Sequence, residues 1–579
     1  MGCYGDKLAT TPNVDKLASK GMIYTHVWSC APVCAPARTT LISGLYAQST
    51  GGEHMRSLVP FPVGKQMYPQ LLRDAGYYCS NNSKEDYNLS KPGKVWENSS
   101  KNAHWKNRAP GQPFFAVFNS ERSHESKIRT RPHKLIHDPA KVRVPAYHPD
   151  TPEVRRDWAQ YYDIVNEADA DAGKRLSELD AAGLTEDTIV FYYGDHGSGM
   201  PRSKRWPYDS GLRVPLVIYI PEKFKELRPP DYKPGGRSDR LVSFVDFAPT
   251  LLSLAGVKPP DWMQGHAFLG KFIAPPQQFL HGFRGRMDER NDLVRSVTDG
   301  RFVYIRNYMP HLIYGQHIDY MWQTPTTAVW EKLHKEGKLT LAQDAFWNTK
   351  PPEELYDLQS DPDEVKNLAS SPTHQEIKAK LRNEQRQHAL RIRDVGFIPE
   401  GERFARSGGG SPYDLGHDEN KYPLARVLEI AELASMLKPD ALPALKKALT
   451  DDDSVVRYWG ALGILMRGNP AVADSRQLLR TALKDSSADV RITVAQALAQ
   501  HGPDADFSEA LSLLVNHANW STHNVFSVLA ALNSLDALGE KAAPVAAQIK
   551  ALPETGKSPE TRYSSYAPRL LEELQARFK

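Results

Sequence analysis

The sequence predicts an α/β body, with a parallel or mixed sheet between helices, followed by an all-α repeat region. Two observations carry this. Apolar runs at 22–28, 114–118, 188–193 and 216–220 alternate with helical patterns, the order that builds a sheet covered on both faces. Beyond residue 425 the composition turns Ala/Leu-rich, and Val456-Arg457, Val490-Arg491 and Asn524-Val525 recur every 34 residues, as stacked helix pairs do.

At 579 residues the chain exceeds the roughly 250–300 at which one core stops growing, so several domains are expected. A net charge of +4 makes no electrostatic case for nucleic acid. No apolar run approaches the ~20 residues of a membrane span. Four cysteines are too few for a disulfide scaffold; Cys30 and Cys79 read as buried thiols or as a pair. Met1 to Asp6 has neither a basic start nor an apolar core, so no signal peptide is visible.

The elements follow in order. Thr11 caps a helix with Pro12 at its first position and Gly21 as its stop. Residues 22–28 read as a strand. A helix from Tyr68 closes at Gly76, and the next strand opens at Tyr77. The continuous apolar run 114–118 predicts a buried strand. Trp158, Tyr161, Val165, Ala168, Ala172, Leu176 and Leu179 keep a helical period. Buried strands 188–193 and 216–220 come next, and active groups in such sheets gather at the strands' carboxyl ends.

The stretch the rest is organised around is Cys34-Ala35-Pro36-Ala37-Arg38-Thr39-Thr40-Leu41-Ile42-Ser43-Gly44. Pro36 suits the first turn of a helix, so Cys34 lies at a helix N-terminus, where free N–H groups favour an anion. Arg38, one turn on, folds back over that end. The reading is a pocket for a tetrahedral oxyanion. Asp195 and His196, at a strand end and bracketed by glycines, have metal-ligand chemistry. His124, past the 114–118 strand, is a general-acid candidate.

Cys34-x-Pro-Ala-Arg38 with Thr-Thr-Leu-Ile-Ser-Gly resembles the type I sulfatase signature of the alkaline-phosphatase superfamily. A tyrosine-phosphatase loop needs five residues between Cys and Arg; here there are three. The resemblance implies an alkaline-phosphatase-like mixed sheet sandwiched by helices, a small α+β subdomain and then the helical repeats. The segments are a catalytic domain over 1–275, the subdomain over 276–405, a flexible linker over 406–424 and HEAT-like repeats over 425–579. It implies that Cys34 is oxidised to formylglycine by a formylglycine-generating or anaerobic maturation enzyme, and that the hydrated aldehyde attacks sulfur. Calcium, held by Asp195, His196 and position 34, together with Arg38, Lys84 and Lys204, stabilises the sulfuryl oxygens, while His124 protonates the leaving group. Ser123 stands where the family usually has Pro, and Asp86, expected to bind substrate, stands where it often has His. Arg286 and Asp288, in the charge-dense loop 281–290, are expected to grip an anionic sugar, the competing reading being a plain solvated loop.

The Lys84 segment and the Arg286 stretch look more similar to heparan-N-sulfatase-like and polysaccharide sulfatases than to arylsulfatases, with a sulfated saccharide as substrate. In the family a strand ending in two acidic metal ligands precedes a turn similar to Gly2-Cys3-Tyr4-Gly5. That strand and any export signal are expected upstream of Met1, which makes the protein periplasmic or extracellular. The repeat region is expected to dock on a partner or on the catalytic domain. The competing readings are a catalytically impaired binding scaffold and a phosphatase or phosphodiesterase of the same superfamily; the cysteine motif disfavours the second.

Overall fold

The strand Met22–Trp28 runs through the middle of the body. It pairs antiparallel with Leu216–Tyr219 and parallel with Gly236–Ser243, and Val190–Tyr193 completes a mixed four-stranded sheet on the far side of Leu216–Tyr219. A parallel three-stranded sheet holds Asn98–Ser99, Tyr78–Asn82 and Phe114–Phe118. The computed structural model describes residues 1–578.

Helices cover the mixed sheet on both faces. On one, Pro12–Lys20 and the 30-residue helix Pro152–Ala181 bury Val14, Leu17 and Ala18 against Ile23 and Val217. On the other, Cys34–Ser43 packs Ala37 against Tyr24, Leu216 and Val242. The period-2 alternation of a strand assigns the sides: Val190 and Tyr192 join the first cluster, Phe191 and Tyr193 the second.

Two strands depart from expectation. Every residue of Phe114–Phe118 and of Val190–Tyr193 is half-buried, not buried. Among the described residues Phe114–Phe118 pairs only with Tyr78–Asn82, and Val190–Tyr193 only with Leu216–Tyr219, so each keeps an open edge that leaves its apolar faces partly in water.

The expected small antiparallel sheet is present in the order Glu353–Asp357, Phe302–Asn307, Val294–Thr298, Leu280–Arg284. The stretch 281–290 is not a solvated loop: its first part is the strand Leu280–Arg284, and residues 281–290 are all buried. Each of its arginines has a carboxylate. Arg284 meets Asp292 at 3.1 Å, Arg286 meets Glu400 at 2.7 Å, and Arg290 meets Asp536 and Glu573. A buried guanidinium is tolerated only when so paired.

Helices from Leu424–Ser435 to Tyr566–Arg577 share one hydrophobic core, which also takes in Tyr308, Val395 and Phe397 of the preceding region. Trp459 Nε1 donates to the Phe397 carbonyl at 2.9 Å. The helices Ser454–Leu465 and Ala488–His501 open 34 residues apart, but Val525–Leu538 starts three residues later than that period predicts. The reason is local. The Asn524 side chain accepts from the Phe526 and Ser527 N–H groups and so becomes the N-cap.

The stretch expected as a flexible linker is pinned at both ends. At its start Arg406 reaches Asp453 at 2.9 Å, in its middle the helix Pro412–Gly416 buries Tyr413 and Leu415, and near its end the Tyr422 hydroxyl donates to the Asp394 carbonyl at 2.6 Å. Gly408 to Gly410 and Glu419 to Lys421 are its exposed turns, with φ +55° and +83° at the first two glycines. A cavity of about 540 Å³ lies between the helical array and the antiparallel sheet, lined by Arg290, Trp322, Tyr458 and Asp489 among others; Cys34 is not in its wall.

Candidate active site

Four strand ends deliver the chemistry to one place. Met22–Trp28 leads into the helix Cys34–Ser43, and Tyr78–Asn82 leads to Lys84 and Asp86. Phe114–Phe118 leads to Asn119 and His124, and Val190–Tyr193 to Asp195 and His196.

Arg38 ties three of these loops together. Its Nε donates to Asp195 Oδ2 at 3.0 Å and its Nη2 lies 3.0 Å from the same oxygen, its Nη1 donates to Asn119 Oδ1 at 2.7 Å, and the Lys84 carbonyl lies 3.5 Å away. A planar guanidinium with five donors suits this bracing role. The expectation that Arg38 leans over the bound oxyanion is therefore corrected, because its fork is committed to Asp195 and Asn119. Burial raises the Asp195 carboxyl, but Arg38, His196, Lys84 and Lys204 together outweigh it and hold the group below the usual carboxylate range.

Cys34 is the first residue of its helix, after Val33, and is 4% exposed. Burial pushes its thiol up to about 11, Asp86 adds to this, and Lys84 and Lys204 oppose it. At neutral pH the side chain is a protonated thiol, a weak nucleophile.

Lys204 and Arg205 share one carboxylate. Lys204 Nζ lies 3.0 Å from Glu125 Oε2, and Arg205 Nη1 lies 2.8 Å from Glu125 Oε1. Burial pushes Glu125 up, but Arg205 and Lys204 outweigh it and bring it down to about 2. Arg205 also reaches Asp288 at 2.9 Å. Lys84 has a looser partner, the exposed Glu121 at 3.9 Å.

The two imidazoles are neutral and oppositely tautomeric. His124 Nδ1 accepts from the Ser126 N–H at 3.3 Å, which places the proton on Nε2. Burial brings His124 down to about 3, reinforced by Lys204 and Lys84. His196 Nδ1 donates to the Gly197 carbonyl at 2.8 Å, which leaves the lone pair on Nε2. Burial brings His196 down to about 4. Gly197 is required because its loop is pressed against the 208–212 turn: a Cβ there would lie 2.0 Å from the Ser210 carbonyl oxygen.

Cys34, Lys84, His124, Asp195, His196, Lys204 and Arg38 thus come together as expected, whereas the substrate-binding expectations change. Arg286 is 1% exposed, is held by Glu400 and is overlaid by Tyr563 and Tyr566, so it does not face substrate. Asp288 is committed to Arg205, and Asp86 is paired at 3.0 Å with Arg562, from the segment before the last helix.

Glu125, Asn119, Arg205, Arg562 and Arg56 belong to the same neighbourhood but sit in no motif. Glu125, next to His124, was within reach of sequence reasoning as the counter-charge of Lys204; the others are brought in by the fold. Arg56, Asp86, Arg205 and Asp288 all have left-handed φ values, between +51° and +80°. Such non-glycine strain persists where surrounding structure enforces it.

Calcium takes six to eight oxygen donors. The side chains gathered here supply one carboxylate, Asp195, already bonded to Arg38, and an amide oxygen, Asn119 Oδ1, bonded to the same arginine. Among the described residues no three His, Cys, Asp or Glu side chains are close enough to hold a metal. The donor set present does not fit calcium, and His196 and Cys34 do not make up the oxygens.

A buried helix start among lysines, with one imidazole donor and one imidazole acceptor, at the strand ends of an α/β body, defines a hydrolase of anionic esters. The family model described as Sulfatase matches residues 1–91 and 78–257. An ulvan-active sulfatase of Formosa agariphila is 39% identical over 467 residues, covering 71% of this chain and 76% of that protein. The N-sulphoglucosamine sulphohydrolase of Homo sapiens is 24% identical, covering 66% of this chain and 86% of its own. A putative sulfatase from Bacteroides thetaiotaomicron, a solved structure, matches 68% of this chain and 90% of its own with a TM-score of 0.51 at 18% identity, a likeness of fold. The chain belongs to the sulfatase family.

Proposed function

We propose that this sulfatase hydrolyses sulfate esters or sulfamates of a sulfated polysaccharide, with formylglycine made from Cys34 as its nucleophile. The observation that carries the reading is Cys34 itself: buried at a helix start, flanked by Lys84 and Lys204, with its thiol raised to about 11. A site arranged for anions but holding a protonated thiol fits a residue converted to a carbonyl before use. When formed, that group would supply a hydrated aldehyde oxygen to attack sulfur. The helix N–H groups, Lys84 and Lys204 hold the sulfuryl oxygens, and stabilising the charge that builds there is the main source of rate in such transfers. Arg38 keeps the loops at the required spacing. His196 Nε2, with its lone pair, takes the nucleophile's proton, and His124 Nε2–H donates to the departing oxygen or nitrogen.

The substrate class rests on the ulvan-active relatives, at 39% and 28% identity. The helices over 424–577 are read as a HEAT-like array, supported by the shared core and the 34-residue spacing of two helix starts. The reading takes 1–275 as the catalytic domain and 276–405 as its subdomain.

Peptide mass spectrometry around position 34, on protein made with a maturation enzyme present, tests the nucleophile. The expected result is a residue carrying an aldehyde in place of the thiol. Sulfate release from a panel headed by ulvan tests the substrate. An intact thiol on well-folded, maturation-competent material would overturn the reading.

A further inference from the structure

The cavity between the helical array and the antiparallel sheet takes no part in the mechanism above. Its volume of about 540 Å³ falls in the range of roughly 300–1,000 Å³ that small-molecule sites occupy. None of Cys34, Lys84, His124 and Lys204 is in its wall. Two polar groups of that wall lack a partner. Trp347 is 7% exposed and its Nε1–H meets no acceptor, while His311 Nδ1 is shut off from solvent and likewise unmatched among the described residues. A buried donor or acceptor is costly to leave unpaired, so each calls for a partner that the chain itself does not supply.

The aromatic rings of the same wall are held in place. Trp322 is half-buried, its Nε1 donates to Glu331 Oε2 at 2.9 Å, and it meets Trp347 nearly edge-on, with centroids 5.9 Å apart at 85°. Trp347 is backed in turn by His334, at 5.6 Å and 20°. Tyr458, also half-buried, brings a third ring from the array helix Ser454–Leu465. Such rings accept an apolar face, and the few polar groups among them fix a ligand's orientation.

Charge narrows the guest further. The wall's Arg290 is spent on Asp536 at 2.7 Å and on Glu573, and its Lys335 on Glu331 at 2.8 Å. Asp292 and Glu400 are paired with Arg284 and Arg286. That leaves Asp489 as the wall's one carboxyl outside any ion pair among the described residues, and burial raises it to about 7. A sulfate or uronate moved here would lose its water and find no free counter-charge. An uncharged ring with hydroxyls on its edge meets no such cost.

We propose that this cavity binds an uncharged sugar unit of the polysaccharide, its ring face on Trp322 and Tyr458 and its hydroxyls on Trp347 Nε1–H, His311 Nδ1 and Asp489. It is a second saccharide site, assembled only where the helical array meets the body and opposite in chemistry to the Cys34 cradle. The choice of a sugar among uncharged ligands rests on the polysaccharide reading above.

The test titrates the full chain by calorimetry with three neutral disaccharides (cellobiose, lactose and xylobiose) and with a single-sulfate disaccharide. At least one neutral probe is expected to bind, with a Kd of about 1 mM or tighter. Trp322→Ala should weaken it by about tenfold, and Trp322→Phe much less. Ala530→Trp, which sends a bulky side chain into the cavity from the helix Val525–Leu538, should abolish neutral binding and leave the single-sulfate probe's Kd and turnover alone. Melting curves confirm that each variant is folded. No heat from any neutral probe at about ten times that concentration, or neutral binding that Trp322→Ala and Ala530→Trp leave untouched, would overturn the proposal. So would loss of single-sulfate binding in Ala530→Trp. If a neutral probe binds as expected but wild type releases no sulfate, it is the Cys34 reading that fails, and the cavity site stands.

Discussion

Two buried charge clusters in this molecule are built to opposite rules. Around Cys34, six cations (Arg38, Arg56, Lys84, Lys204, Arg205, Arg562) face five carboxylates (Asp86, Glu121, Glu125, Asp195, Asp288), and Arg56 has no partner among the described residues. Behind the antiparallel sheet, Arg284, Arg286, Arg290, Arg295, Lys350, Arg403 and Arg577 each have a partner among Asp292, Glu400, Asp536, Glu573, Asp394 and Glu53. The second cluster is closed, and it clamps the helical array onto the body. The first leaves positive charge for a guest. Pairing, more than the number of arginines, separates a scaffold from a binding site.

The contrast breaks most sharply at its centre. Cys34→Ser should lose about 10⁶ of kcat, as removal of a covalent nucleophile does, while the melting curve stays put; sulfate release at the wild-type rate would refute the scheme. His124→Ala should cost about 10²–10⁴ in kcat. Its loss should be greater for a sugar sulfate than for an aryl sulfate, whose departing oxygen needs little protonation, and equal losses would remove its assignment as proton donor. In the closed cluster, Glu53→Gln strips Arg403 of its carboxylate and leaves Arg295 with Asp394 alone, and denaturant titration should show about 3–5 kcal/mol less stability. KM for the single-sulfate probe, measured where the variant is folded, should not move.

The mildest effect concerns an acid outside both patterns. Burial raises Asp489 from 3.8 to about 7, and Glu402 adds to this. Between those two values the folded chain keeps a proton that the unfolded chain has released, so stability falls as pH rises through that window. Asp489→Asn should flatten the decline and raise Tm at pH 8 by about 2–4 °C; an unchanged pH profile would show that Asp489 does not carry it.

The catalytic strand ends were legible in the sequence because local chemistry marks them. Pro36 and Gly44 punctuate the Cys34 helix, glycines bracket Asp195 and His196, and each candidate follows an apolar run. Arg286 was misjudged for a physical reason. A run of alternating charges looks solvated when its counter-ions, such as Glu400 and Asp536, lie more than a hundred residues away. Arg38 had the right place and the wrong task, since Asn119 and Asp195 converge on it only through sheet topology. Arg562 was invisible for the same reason: nothing local connects residue 562 with residue 86.

The open edges of Phe114–Phe118 and Val190–Tyr193 set a rule for handling the molecule. Phenylalanine- and tyrosine-rich backbone with unpaired N–H and C=O groups is a template for any extended strand it meets. In a concentrated preparation the nearest such strand belongs to a sister molecule. Self-association should therefore begin at these two ribbons, and a lysine facing outward on either would be the first remedy.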